Sequence, residues 1–333
     1  MLIALETSLH NDPNLLEEAR FAAMRAEVVE ILMEFGHEQE RDLASKMRGC
    51  SNTLFACVRA IGPKPDVFVR CDTRCGIRGC PICARVYSRR CAGKFCGILS
   101  MAQKANPKHS WMLYTLTLPT VTITDFDDAF KLLGTSHAKL LKHPDWPGDG
   151  SVACFEAPIG RPSLDDELQA QIHLHAAALV PRASIFGRSK LTPKRLSALW
   201  SEIVGIGKPL QVNMSYIATP DADANVVEVV RRAVRYGTKG PYCQGIAPQE
   251  YANENEAPVS VPLADPDALL AYFRLMPRRQ LIRKTDRLRG VEVPKSCWAL
   301  TGASKTYKLI WHRKSQEFMH SNEMSAAIVP IAA

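Results

Sequence analysis

Apolar residues recur at helical spacing between positions 12 and 35, at Leu16, Ala19, Ala23, Val28, Ile31 and Phe35, which predicts an amphipathic helix. Asp12 suits its cap, Pro13 its first position and Gly36 its stop. A second short helix is expected over 38–48. The pattern then changes period. Residues 111–118, Trp-Met-Leu-Tyr-Thr-Leu-Thr-Leu, are aromatic and β-branched and read as a strand ended by Pro119. Asp125 caps a helix expected to run to about 142, with Phe126, Ala129, Phe130, Leu133, His137, Leu140 and Leu141 on or near one stripe. Residues 151–159 form another strand, a loop covers 160–170, and Gln171–Val180 is a third strand, apolar almost throughout. Thr192-Pro193 opens a helix to about Val204, residues 208–217 alternate as a strand, and 225–239 read as a helix ended by Gly240-Pro241. Residues 246–272 hold no lysine or arginine, five acids and four prolines, which is linker composition.

The third strand carries two polar interruptions, His173 and His175. Side chains alternate along a strand, so the two imidazoles share one face while Leu174, Ala176, Ala178 and Val180 take the other. Such a pair reads either as two half-buried strand histidines or as two ligands of one metal ion. Glu156 interrupts the preceding apolar strand, where an unpaired carboxylate is unfavourable to bury. If the two strands form an antiparallel hairpin, Glu156 comes beside the histidines. Two imidazoles, a carboxylate and open positions fit Mg²⁺ or Mn²⁺ bound together with substrate oxygens. An edge-strand carboxylate facing water is the alternative for Glu156.

Composition adds a second candidate centre. The chain has eleven cysteines, six of them between Cys71 and Cys96. No basic-then-apolar leader is visible at the N-terminus, so clustered cysteines point to metal thiolates over disulfides and to a cytoplasmic setting. Cys80-Pro-Ile-Cys83 is a turn that lets two thiolates reach one tetrahedral Zn²⁺. Cys71 and Cys75 are the nearest second pair, and Cys57 competes for a place. Four protein ligands leave no open position, so this Zn²⁺ is structural. The same stretch carries Arg70, Arg74, Arg78, Arg85, Arg89, Arg90 and Lys94 against Asp72, a surface suited to a phosphate backbone or a solvated basic face. A net charge of +8 favours an anionic partner such as nucleic acid, and no stretch approaches the length of a membrane span, so no membrane is expected. Residues 277–289, with six basic residues and one acid, lie along DNA or form another solvated face.

On the 225–239 helix, Arg232, Tyr236 and Lys239 stand four and three apart and share a face. A tyrosine flanked by cations has the ingredients of a nucleophile toward a phosphodiester, and equally those of a packing residue on a basic helix. The fold expected from these elements is α+β. It has an antiparallel central sheet with flanking helices, a small zinc-binding module and a helical N-terminal segment. The expected divisions are 1–49 helical, 50–105 cysteine-rich, 106–245 carrying the histidines and tyrosine, and 246–333 a linker with a basic C-terminal region.

Taken in order, these stretches resemble the rolling-circle plasmid replication initiators of the HUH endonuclease superfamily. The resemblance rests on Cys80-Pro-Ile-Cys83, Thr115-Leu116-Thr117-Leu118-Pro119, Phe155-Glu156, the pair His173 and His175, and Tyr236 with Lys239, and it covers roughly residues 71–240. It implies an HUH/ferredoxin-like domain and a metal-dependent nick in origin DNA, single-stranded or extruded as a hairpin. His173, His175 and Glu156 would hold the divalent ion. Tyr236 would attack to leave a 5′-phosphotyrosine and a 3′-hydroxyl primer, and Lys239 would steady the phosphate. A host helicase and polymerase in a bacterial cytoplasm would be its partners. The chain departs from the pattern at Arg232, where some initiators carry a glutamate one turn before the tyrosine; Glu228 lies two turns back, and Tyr242 lies past the Gly-Pro break. Related single-strand transposases carry two tyrosines four apart, and relaxases an N-terminal tyrosine; neither pattern is present. A transposase- or relaxase-type HUH enzyme and a zinc-containing DNA-binding regulator without catalysis are the alternatives.

Overall fold

The computed structural model describes residues 13–59, 66–71, 73–161, 165–186, 190–217, 226, 228–230, 233, 265–276, 279, 281–285, 288, 304–312 and 317–320. In chain order the strands are β1 (Thr53–Arg59), β2 (Asp66–Cys71), β3 (His109–Thr117), β4 (Val121–Thr122), β5 (Gly150–Glu156), β6 (Ile159–Gly160), β7 (Gln169–Ala170), β8 (His173–Pro181), β9 (Val212–Ile217), β10 (Ile282–Lys284), β11 (Ser304–His312) and β12 (Glu317–His320). The chain divides into two compact units, one of Met1–Ala84 with Lys295–Ala333 and the other Arg85–Pro294. This division differs from the boundaries expected near 49 and 245.

In the first unit the two predicted helices are Pro13–Phe35 and Glu38–Arg48. They are separated at Gly36, where a β-carbon would collide with the Leu32 carbonyl and the Glu40 side chain. Glu40 reaches back to accept a hydrogen bond from the His37 amide at 2.8 Å, closing the N-terminus of the second helix. Four strands pair in the order β12-β11-β1-β2. β1 lies antiparallel to both β2 and β11, with Leu54 opposite Leu309. The sequence reading assigned no strands to either end of this sheet, because pairing partners some 250 residues apart leave no local signature.

The second unit is built on a five-stranded antiparallel sheet, β10-β5-β8-β3-β9, with helices against it. β8 is central because Leu174, Ala176, Ala177, Ala178, Leu179 and Val180 are buried, as an apolar strand covered on both faces must be. Against one face lies the helix Phe126–Leu140, which buries Phe126, Ala129, Phe130, Leu133, His137 and Leu140. Its Phe130 ring sits 5.6 Å from that of Phe155, and His137 Nε2 is 2.9 Å from the Tyr114 hydroxyl. Asp125 precedes this helix as expected, but its carboxylate accepts from the Thr122 hydroxyl instead of capping the helix backbone. The helix Pro193–Val204 begins and ends as predicted: Thr192 accepts from the Arg195 amide at 3.2 Å, and Gly205 closes it in a left-handed conformation at φ 82°. Trp200 from this helix donates to the Thr117 carbonyl at 3.1 Å, fixing it beside the end of β3.

Against the opposite face pack Phe95, Ile98, Leu99 and Ala102 from the helix Pro81–Ala105, together with Val226, Val229, Val230 and Ala233. Their partners on the sheet are Trp111, Leu113, Val152, Cys154, Ala177, Leu179 and Ile217.

Three expectations are corrected. The 160–170 loop ends in β7, which pairs with both β4 and β6 in a small three-stranded sheet. The expected linker ends early, in a helix at Pro266–Leu275 that buries Ala268 through Phe273. Asp265 caps it by accepting from the Asp267 amide at 3.0 Å, so the Asp-Pro-Asp sequence that read as linker is a helix start. The basic stretch after it turns inward. Leu281 is buried, and Ile282–Lys284 pair with β5 as the sheet's edge. The Arg283 guanidinium lies 4.5 Å over the Phe155 ring. Arg279 pairs with Asp127 and stacks on Phe126 and Phe130 at 5.0 and 4.7 Å. Arg279 and Arg283 thus pack against aromatic rings of the second unit, while Arg278, Arg287 and Arg289 lie outside the described residues. Among the described residues no helix is long and apolar enough to cross a membrane.

Candidate metal centres

Among the described residues two groups of side chains could hold a metal ion, one in each unit. The first is Glu156, His173 and His175. β5 and β8 are antiparallel neighbours with Glu156 opposite His173 and Cys154 opposite His175. This is the hairpin pairing anticipated from sequence. Strand alternation puts Glu156, His173 and His175 on the same face as Cys154, Val152, Ala177 and Leu179. That face is the one covered by Val226, Val229, Val230 and Ala233. Val226, Glu228 and Val229 are helical, in agreement with the predicted helix. Tyr236 and Lys239, further along that segment, lie outside the described residues, as do Arg232 and Tyr242.

The triad converges on one atom. Glu156 Oε2 is 3.1 Å from His173 Nε2 and 3.0 Å from His175 Nε2. The two imidazole planes stand at 89°, so their nitrogens approach from different directions. Each ring is held from behind. His173 Nδ1 donates to the Gln171 carbonyl at 3.1 Å, and His175 Nδ1 meets the Thr115 hydroxyl at 3.1 Å. A carbonyl only accepts, so the Nδ1 proton of His173 is spent on Gln171. The Nε2 of the neutral ring then presents a lone pair to a carboxylate oxygen that also carries only lone pairs. The contact is held either by a further ring proton or by a cation in its place. Burial alone would raise the Glu156 carboxyl, but the bonds from His173 and His175 outweigh it and hold it down at about 2. The glutamate is therefore an anion wherever the protein is folded near neutrality. The three side chains keep between 13% and 19% of their surface open, so the cluster is walled but reachable.

Thr115 is a contributor that pattern reading missed. Its place in the Thr-Leu-Thr run was noted, but only the register of β3 with β8, Thr115 opposite His175, reveals what its hydroxyl touches.

The second centre is four cysteines, Cys50, Cys75, Cys80 and Cys83. Sulfur–sulfur separations are 3.6 Å for Cys50–Cys83, 3.6 Å for Cys75–Cys83 and 3.7 Å for Cys80–Cys50. These are too long for disulfides, whose sulfurs lie at about 2.0 Å. They match the edge of a tetrahedron around one ion at about 2.3 Å from each sulfur, which is roughly 3.8 Å. The thiols act on one another: contact with Cys50 pushes Cys83 and Cys75 down, while contact with Cys75 pushes Cys50 up.

Among the described residues the set is Cys50, Cys75, Cys80 and Cys83; three of these were expected, and Cys50 was not. The side chains of Cys71 and of its competitor Cys57 lie outside the described residues. Cys50 is brought in by the turn after the second helix. Ser51 adopts a left-handed backbone at φ 55°, and its amide donates to the Thr73 carbonyl at 2.9 Å. The Thr73 hydroxyl in turn donates to the Gly49 carbonyl at 3.0 Å. The Cys75 amide then donates to Cys50 Sγ at 3.5 Å. Cys80 and Cys83 come from the start of the helix Pro81–Ala105, as the Cys-Pro-Ile-Cys turn predicts. Cys91, Cys96 and Cys154 belong to the second unit's apolar cluster and take no part.

Comparisons of this chain with protein-family models, with curated proteins and with solved structures found no match.

Proposed function

We propose that the protein is a site-specific DNA strand transferase of the HUH type, a rolling-circle replication initiator that nicks origin DNA through Tyr236. One observation carries the reading: Glu156, His173 and His175 converge on a single point of an antiparallel sheet, with two ring nitrogens at 3.0 and 3.1 Å from one carboxylate oxygen. Adjacent ligands of a six-coordinate ion at about 2.1 Å stand roughly 3.0 Å apart, so the spacing suits Mg²⁺ or Mn²⁺ and leaves further positions for oxygens. The order of sequence motifs, from Cys80-Pro-Ile-Cys83 to Tyr236 and Lys239, supports the same reading.

In this reading the Tyr236 phenol oxygen forms a bond to the scissile phosphorus and the bond to the 3′-oxygen breaks. The phenol proton leaves to solvent or a base, and the 3′-oxygen takes one up. The products are a 5′-phosphotyrosine and a free 3′-hydroxyl. No bond energy is lost to hydrolysis, so the ends can be rejoined. A divalent cation held by the triad supplies polarisation of the phosphate and offsets charge that develops on its oxygens. Lys239 adds a positive charge near the same phosphate. Support for the tyrosine's role comes from the segment before it: Val229, Val230 and Ala233 are buried against the sheet face that bears the triad. The four-cysteine centre is read as a structural Zn²⁺ site, because four thiolates complete a tetrahedron and leave no place for substrate.

The test is incubation with single-stranded origin DNA and Mn²⁺, followed by a denaturing gel. A covalent protein–DNA band is expected from the wild type and none from Tyr236→Phe. A wild type that binds the DNA tightly without forming any adduct overturns this function and favours a zinc-containing regulator.

A further inference from the structure

Arg25 sits within the helix Pro13–Phe35 and is only 4% exposed. Its Nη1 donates to the Cys50 carbonyl and, at 2.7 Å, to the Asn52 side-chain oxygen. Both acceptors are uncharged. A buried guanidinium held only by neutral oxygens is unfavourable unless negative charge stands close by. Burial pulls the guanidinium's pKa down, and Cys50, Cys80 and Cys75, three of the four clustered thiols, oppose that pull. Four thiolates around one divalent ion form a doubly negative complex, and that complex is what a fixed cation at this place would stabilise.

We infer that Arg25 is the counter-charge of the Cys50/Cys75/Cys80/Cys83 centre and positions Cys50 through its carbonyl. The inference rests on reading that cluster as a one-ion tetrathiolate site. It makes the first helix part of the centre, although that helix contributes no ligand. Arg25 also bridges the two residues flanking Ser51, since its acceptors belong to Cys50 and Asn52. The guanidinium therefore braces the turn whose left-handed residue aims Cys50 at the other sulfurs.

Zinc affinity, measured on the full chain against a chromophoric chelator, tests this with two substitutions. Arg25→Gln keeps a donor for the oxygens and removes the charge. Arg25→Lys keeps the charge and loses the planar fork. Zinc binding should weaken about ten- to hundred-fold in Arg25→Gln, the range typical of groups that act on a metal through its ligands. Arg25→Lys should stay closer to the wild type, because charge is the larger part of the effect. Cobalt(II) taken up by Arg25→Gln should show a weakened or shifted thiolate-to-metal absorption. Equal zinc affinity in Arg25→Gln and wild type overturns the inference, and so does equal weakening by Gln and Lys. If Arg25→Gln does not fold, hydrogen exchange on the wild type decides. Zinc removal should deprotect the amides around Arg25, and unchanged protection overturns the inference. A wild type that binds neither zinc nor cobalt is a separate failure, of the metal centre itself.

Discussion

Glu156 and His173 stand directly opposite each other on neighbouring antiparallel strands, with Oε2 and Nε2 3.1 Å apart. The relationship is one of register. A slip of one residue would move Glu156 to the face occupied by Phe155 and Leu174, away from both imidazoles. His175 joins because it lies two residues further along, on the same face, and Thr115 joins because β3 pairs in step on the other side.

Glu156→Gln keeps the shape of this group and one accepting oxygen and removes its charge. Mn²⁺ affinity at the triad, read by calorimetry or electron paramagnetic resonance, should fall by at least about ten-fold, since a hard divalent ion depends on charged oxygen ligands. Retained affinity would place the ion elsewhere.

Thr115→Val removes the hydroxyl beneath His175 Nδ1 and leaves the strand intact. Because the ring loses its orienting contact, Mn²⁺ binding should weaken by roughly ten-fold while thermal stability changes little. A fall in both stability and binding by proportionate amounts points to packing and not to orientation.

Zinc content separates the observed cysteine set from the one expected by spacing. Cys50→Ser should lose stoichiometric zinc, whereas Cys71→Ser should retain it. Metal analysis of the two purified variants reads the difference directly, and loss of zinc in Cys71→Ser would restore the set expected from sequence.

His137 is buried beside Tyr114, and burial, with a smaller contribution from Arg283, pulls it down to about 3 from an ordinary value near 6.5. Its folded form stays neutral while the unfolded chain takes up a proton. The stability from keeping it neutral is present above about 6.5 and is lost as pH falls toward 3, by up to about 1.4 kcal/mol per pH unit. Urea midpoints measured between pH 7 and 4 should show this slope, and His137→Phe should flatten it. A variant with an unchanged slope assigns the acid sensitivity to other groups.

The sequence by itself was enough where the signal is local. The helix Pro193–Val204 announces itself by its cap, its stop and a 3.6-residue period, all of which act within one element. The helix Pro13–Phe35 lies where it is expected, but its buried face runs through Ala22, Val28, Val29 and Leu32 and leaves Phe35, expected on the apolar stripe, exposed. The Glu156, His173 and His175 grouping was legible too, because a short connection and a two-residue alternation leave few ways to pair β5 with β8. Tertiary structure alone decided what joins residues distant in the chain. Thr115 behind His175, Cys50 among the thiols, Arg25 beneath Cys50, β11 on β1 and β10 on β5 each bring together partners whose separation carries no periodic trace. Nearest-neighbour spacing counts residues, so it reached Cys75, Cys80 and Cys83 but not Cys50; a metal site needs sulfurs at the corners of one tetrahedron, and only the folded backbone brings Cys50 to them.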